Sequence, residues 1–151
     1  MEDAEVRLAA FEFLRGLELV HGEALPRRVL ESGFEFHGNR VPQGIFKPRG
    51  MGLPLSILTT AVVEGRDRPY EDALSAQGLL HYRYRGEDPY HRDNVGLRAA
   101  MRTNTPLIYF VGIVPGWYVA WWPSFVVEDS PCDTYVLGGR GRALCAHRAA
   151  I

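Results

Sequence analysis

The stretch Leu107-Ile-Tyr-Phe-Val-Gly-Ile-Val114, followed by Pro115-Gly116 and then by Trp117-Tyr-Val-Ala-Trp-Trp-Pro-Ser-Phe-Val-Val127, decides the fold class. The first segment is a continuous apolar run, and the second is dense in aromatic and β-branched residues; both suit a pleated, buried surface. The Pro-Gly pair between them is a turn signal. Two strands are predicted here, with a further strand over Thr134 to Leu137. Upstream, Asn94 to Arg102 fits a helix that stops before Thr105-Pro106, Leu79 to Arg85 alternates in strand fashion, and Leu53 to Val63 is rich in strand formers. Phe34 and Phe36 alternate with polar neighbours in the same way.

The N-terminal part has a different period. Val6, Ala10, Phe13, Leu14 and Leu17 recur at helical spacing, so a helix is predicted from a cap at Asp3 to about Val20, burying one face. A second short helix, roughly Leu25 to Glu31, begins near Pro26 and stops at Gly33. The glycines and prolines between Pro42 and Gly116 supply the turns. The expected class is α+β, with helices flanking a curved, barrel-like sheet. Residues 1–137 are expected to form one domain, helical over 1–37 and with its sheet core over 38–137, leaving 138–151 as a tail.

The chain has 151 residues, 46% of them hydrophobic, and a net charge of −1. That total does not mark a nucleic-acid binder, since affinity for phosphates comes from Lys and Arg. The distribution is more telling. Gly38 to Val63 carries Arg40, Lys47 and Arg49 with no acid, and the tail carries Arg140, Arg142 and Arg148 with none. Lys47 is the only lysine, and arginine suits bidentate phosphate contacts. No apolar run approaches the roughly 18 residues that would suggest a membrane helix, and the acidic start lacks a secretory n-region, so a soluble cytoplasmic protein is expected. Cys132 and Cys145 have no partners at zinc spacing, and neither metal nor cofactor is expected.

Four elements in order resemble the SRA (SET- and RING-associated) domain, a member of the PUA superfamily. They are the turn Pro69-Tyr-Glu-Asp-Ala73, the strand His81-Tyr-Arg-Tyr-Arg-Gly86, the helix Asp93-Asn-Val-Gly-Leu-Arg-Ala-Ala100 and the Pro106-led strand Pro106-Leu-Ile-Tyr-Phe110. The chain is more closely similar to the SRA-like module at the N-terminus of bacterial HNH-type modification-dependent restriction endonucleases. That likeness lies in Gly44-Ile-Phe-Lys-Pro-Arg-Gly50, in Leu55-Ser-Ile-Leu-Thr-Thr60 and in Gly112 to Trp122. It implies a partner, double-stranded DNA carrying 5-methylcytosine or 5-hydroxymethylcytosine, and a nuclease domain covalently linked after the tail, with Gly138-Gly-Arg-Gly141 as the start of a linker.

The resemblance implies base flipping, in which a nucleotide leaves the duplex at a cost of a few kcal/mol and is stacked between aromatic rings. By position those rings are Tyr70 and Tyr84, with Tyr82 beside them. Asp72 would read the base, because an ionised carboxylate only accepts hydrogen bonds and cytosine offers an N4 amine where thymine offers an oxygen. Ala73 stands where some members have Asp or Gly, which leaves Glu71 as an alternative reader. An apolar gap for the 5-substituent would be lined by Leu58, Thr59 or Thr60. Lys47, Arg49, Arg85, Arg92 and Arg98 are the candidate phosphate contacts, with Arg83 and Arg102 close by in sequence. Tyr90, His91 and Asn94 occupy the segment that would probe the space left by the flipped base.

Competing readings use the same residues. Aromatics alternating on a strand are commonly core, and Asp72 is also a plausible solvated turn acid. The cluster Trp117, Tyr118, Trp121 and Trp122 reads as core and rim of a β-domain rather than as a stacking surface. His91, Arg92 and Asn94 lack the second histidine of an HNH nuclease, so no catalysis is expected from these residues. Two alternatives stand beside the DNA reader. One is a PUA/ASCH-like enzyme acting on a modified nucleoside through Asp72, Glu71 and Lys47; the other is an RNA-binding PUA-like module.

Overall fold

The computed structural model describes residues 2–59, 73–74, 79–83, 92–130 and 133–137. Helix α1 (Asp3–His21) leads to a two-residue strand β1 (Leu25–Pro26), helix α2 (Arg27–Ser32), and a hairpin of β2 (Phe34–Phe36) and β3 (Asn39–Val41). Then come β4 (Ser56–Thr59), β5 (Ala73–Leu74), β6 (Leu79–Arg83), α3 (Arg92–Thr103), β7 (Leu107–Val114), β8 (Trp117–Ser130) and β9 (Asp133–Leu137). The main sheet runs β4-β7-β8-β9-β6-β5, with β1 also on β8. The fold is therefore α+β. Among the described residues no pairing joins β5 back to β4, so the expected barrel-like closure is not seen there and the sheet is an open path.

Strand β7 has the bounds its apolar run predicts, and its position explains the composition. It lies between β4, which it pairs in parallel, and β8, which it pairs antiparallel. A central strand covered on both faces reads as continuous apolar sequence rather than as an alternation. Ile108 and Phe110 face one core with Val6, Ala10 and Leu14 of α1; Leu107 and Tyr109 face a second with Leu97 and Ala100 of α3. All four strand residues are fully buried. Each such aliphatic or aromatic side chain contributes about 1.5–3 kcal/mol. The β7–β8 connection is the predicted Pro115-Gly116 turn, where Gly116 takes a left-handed φ of 81° that most side chains would resist. Register shifts in β7–β8 and β8–β9 mark bulges, which bend the long strand β8 as it passes from β7 to β9.

The N-terminal reading needs two corrections. Asp3 does not cap α1: the helix is preceded by Glu2 with no side-chain cap, and the Asp3 carboxylate instead accepts hydrogen bonds from the backbone N–H of Gly52 at 3.0 Å and of Leu53 at 2.9 Å. Leu25 and Pro26 are extended rather than helical, because they pair with Tyr118 and Trp117 at the sheet edge. The helix then runs to Ser32 and stops at Gly33, as expected. A side chain at Gly33 would fall on the Val41 carbonyl, so glycine is what lets α2 and the end of β3 pack together.

One turn beyond Asp3, Arg7 is almost fully buried. Its Nη1 donates to the carbonyls of Pro54 and Pro106, each at 2.8 Å, residues 47 and 99 positions away. Burial pushes the guanidinium below its ordinary pKa, and Asp3, 3.9 Å away, opposes the shift. The side chain thus ties α1 to the chain before β4 and to the start of β7. Among the described residues no helix is long and apolar enough to cross a membrane.

Candidate nucleic-acid interface

The loop from Pro42 to Leu55 is held at both ends by its backbone. Gln43 N–H donates to the Leu30 carbonyl at 2.8 Å, Leu55 N–H to Phe46 at 2.7 Å, and Ser56 Oγ to Ile45 at 2.8 Å. Pro48 is buried, and its carbonyl closes a turn with Met51 N–H at 3.1 Å. These anchors hold the backbone carrying Lys47 and Arg49, both exposed, on a supported loop. The groove beside it, about 470 Å³, is lined by Arg40, Pro42, Ile45, Pro48, Arg49 and Gly50 among others.

The three cations of this acid-free stretch differ. Arg40 is engaged, with Nη1 donating to the Ser32 carbonyl at 3.1 Å and Nη2 reaching Glu35 at 3.4 Å. Lys47 and Arg49 form no hydrogen bond or ion pair with any described residue. Arg49 lines the groove and Lys47 stands two residues before it on the same loop, both exposed and without an ion pair among the described residues, so that an external anion would meet no competitor among those residues.

A second cavity, about 220 Å³, adjoins the first, with Pro42 and Ile45 lining both. Leu30, Leu58, Tyr118 and Gln43 contribute to its wall. Gln43 is only 3% exposed, and neither its Oε1 nor its Nε2 finds a partner among the described residues. An unsatisfied buried polar group costs about 1–3 kcal/mol. Gln43 was not a candidate from sequence: a glutamine between proline and glycine reads as solvated turn.

The predicted site residues divide into three groups. Thr59 is present and buried, but strand alternation puts it with Ile57 on the α3 side, whereas Leu58 faces the α2 side and the smaller cavity. Leu58 and Thr59, alternatives for the wall of the gap, therefore face opposite sides of the sheet. Tyr82 lies on β6 opposite Thr134, and the β5–β6 register sets Ala73, the residue after Asp72, opposite His81. Arg92 and Asn94 fall in the first turn of α3; Arg98, further along, is half-buried and already engaged within the protein. Tyr70, Glu71, Asp72, Tyr84, Arg85, Tyr90 and His91, with Thr60, lie outside the described residues.

The tryptophan cluster is mainly structural. Tyr118 and Trp122 are buried in the first core and Trp121 packs at 6.5 Å from Tyr109, while Trp117, at the hairpin turn, is 43% exposed. Among the described residues no group of three His, Cys, Asp or Glu side chains is placed to hold a metal. Compared with known proteins, the chain matches no family model, no curated protein and no solved structure.

Proposed function

We propose that this domain binds double-stranded DNA and reads a 5-modified cytosine by flipping it into an aromatic pocket, as an SRA-like module of the PUA type that directs a nuclease domain in the same polypeptide. The observation that carries the DNA-binding part is the anchored loop with Lys47 and Arg49 exposed, free of ion pairs among the described residues, beside the 470 Å³ groove. Phosphate contacts of this kind fix register without reading sequence. The base-reading part rests on the ordered residue pattern around Tyr70, Asp72 and Tyr84. It is supported by the β5–β6 pairing, which runs the chain leaving Asp72 alongside the strand that carries Tyr82. The exposure of Lys47 favours a phosphate contact over the buried lysine–carboxylate pair that a nucleoside-processing enzyme would need.

The test is a titration of matched duplexes carrying cytosine, 5-methylcytosine, 5-hydroxymethylcytosine or its glucosylated form, at one stated salt concentration, with the wild type, Tyr84→Ala and Asp72→Ala. Preference for one modified duplex is expected, and loss of a stacking ring should cost about 1–3 kcal/mol of that preference. Equal, weak, salt-sensitive binding to all four duplexes would leave only non-specific affinity.

A further inference from the structure

We infer that the β7–β8 turn is an apolar wedge that enters a groove of the duplex, presses Val114 and Trp117 against a base step and bends the DNA. The inference rests on the DNA reading for its partner and assigns a contact made by residues other than Tyr70, Asp72 and Tyr84.

Exposure singles the turn out. Between positions 113 and 117, Ile113, Val114 and Trp117 are 49%, 53% and 43% exposed. Exposed apolar groups gathered at one place mark a contact surface, where isolated ones do not. Nothing packs over the turn itself: a side chain placed on Gly116 would meet no atom within 4 Å. The turn is also braced. Pro115 presets its first position and Gly116, with a φ of 81°, takes the left-handed second one, the pattern of a type II turn. Val114 pairs with Trp117 across it, Pro26 pairs with Trp117 on the outer side, and Arg27 N–H donates to the Gly116 carbonyl at 2.9 Å. A head held in this way loses little freedom on docking.

Charge selects the partner. Arg28, next to the residue that holds the turn, is exposed, and its guanidinium forms no hydrogen bond or ion pair with a described residue; the nearby acid Glu31 is taken up by Arg27 at 2.9 Å. Arg27, Tyr118, Pro42 and Ile45 line one cavity, and Pro42 and Ile45 also line the groove of Arg49. The turn and the loop of Lys47 and Arg49 therefore border one stretch of surface, apolar at one end and cationic at the other. A duplex offers both chemistries together, phosphates for the cations and, between partly unstacked base pairs, an apolar slot that accepts wedge side chains at kinks of about 20–90°.

The test uses duplexes of about 30 base pairs with a dye at each end, carrying cytosine, 5-methylcytosine, 5-hydroxymethylcytosine or its glucosylated form at the centre. The wild type is expected to shorten the distance between the dyes, read by energy transfer. Val114→Thr/Trp117→Thr keeps strand-forming residues and removes the apolar head. It should bind about tenfold or more weakly, with the same salt slope, and leave the duplex straight. Val114→Leu/Trp117→Phe should bind and bend as the wild type does, which separates loss of the wedge from loss of the fold. Duplex binding without bending, or a Thr variant that binds as tightly as the wild type, overturns the inference and leaves the DNA reading standing. Binding to none of the four duplexes overturns both, and a shift of the Trp117 emission on phosphatidylserine vesicles would then assign the turn to a membrane surface.

Discussion

Arg7 and Arg49 carry the same guanidinium and meet opposite fates. Arg7 is buried, with Nη1 on two carbonyls that belong to distant parts of the chain and a carboxylate nearby. Arg49 is exposed on a loop that is anchored around it by backbone and hydroxyl contacts and, at its far end, by Asp3 and Arg7 themselves, and Lys47 stands with it. At the foot of α1 the charge is consumed by the fold. On the 42–55 loop the fold supports the backbone and leaves the charge available. For a domain with a net charge of −1, that separation singles out a candidate binding surface better than any sum of residues does.

The contrast is broken most forcefully at Arg7. Arg7→Met removes the donor from the Pro54 and Pro106 carbonyls, and two orphaned acceptors should cost about 3 kcal/mol in all. Urea denaturation is expected to show a lower midpoint at unchanged slope, while DNA affinity of the folded variant is retained. A variant as stable as the wild type would mean that the Arg7 contacts contribute nothing net. Asp3→Asn is the intermediate case. The amide keeps one acceptor for the Gly52 and Leu53 N–H groups but loses the charge that faces Arg7, and about 1–2 kcal/mol should be lost in the same assay. A larger loss than in Arg7→Met would make the carboxylate, not the guanidinium, the centre of this tie. The smallest effects belong to the exposed pair Arg27–Glu31 at 2.9 Å, where Glu31→Gln should change stability by under about 0.5 kcal/mol. A change several times larger would show that exposed pairs here do structural work, and the sorting of cations by exposure would lose its basis.

The parts of the fold that could be read from the chain are those whose local pattern and tertiary environment agree. β7 keeps its predicted bounds because both of its faces are covered, and α1 buries Val6, Ala10 and Leu14 because their spacing leaves them on one stripe. The failures share a cause. Asp3 sits where a helix cap belongs, yet its carboxylate is drawn to backbone amides 49 and 50 residues away. Leu25 and Pro26 are taken from the helix by a sheet edge more than 90 residues on. Apart from these failures, Leu58, Thr59 and Thr60 are alternatives in the sequence, and the side of the sheet that Leu58 and Thr59 each face depends on the parallel pairing of β4 with β7, which no local period encodes. The site shows the same division. Lys47 and Arg49 stand out as cations in an acid-free stretch, whereas Gln43 owes its burial to α2, β4 and β8 closing around it.

The central claim is that Lys47 and Arg49 are phosphate contacts that the fold itself does not need. It is tested most directly by measuring the affinity of wild type and of the Lys47→Ala/Arg49→Ala double variant for one duplex across a salt series. Two lost phosphate contacts should make the slope of log affinity against log salt shallower by about 2, with weaker binding to every duplex whatever its modification. Stability should stay within about 0.5 kcal/mol of the wild type, as for surface positions without structural partners. An unchanged slope with unchanged affinity would contradict the claim.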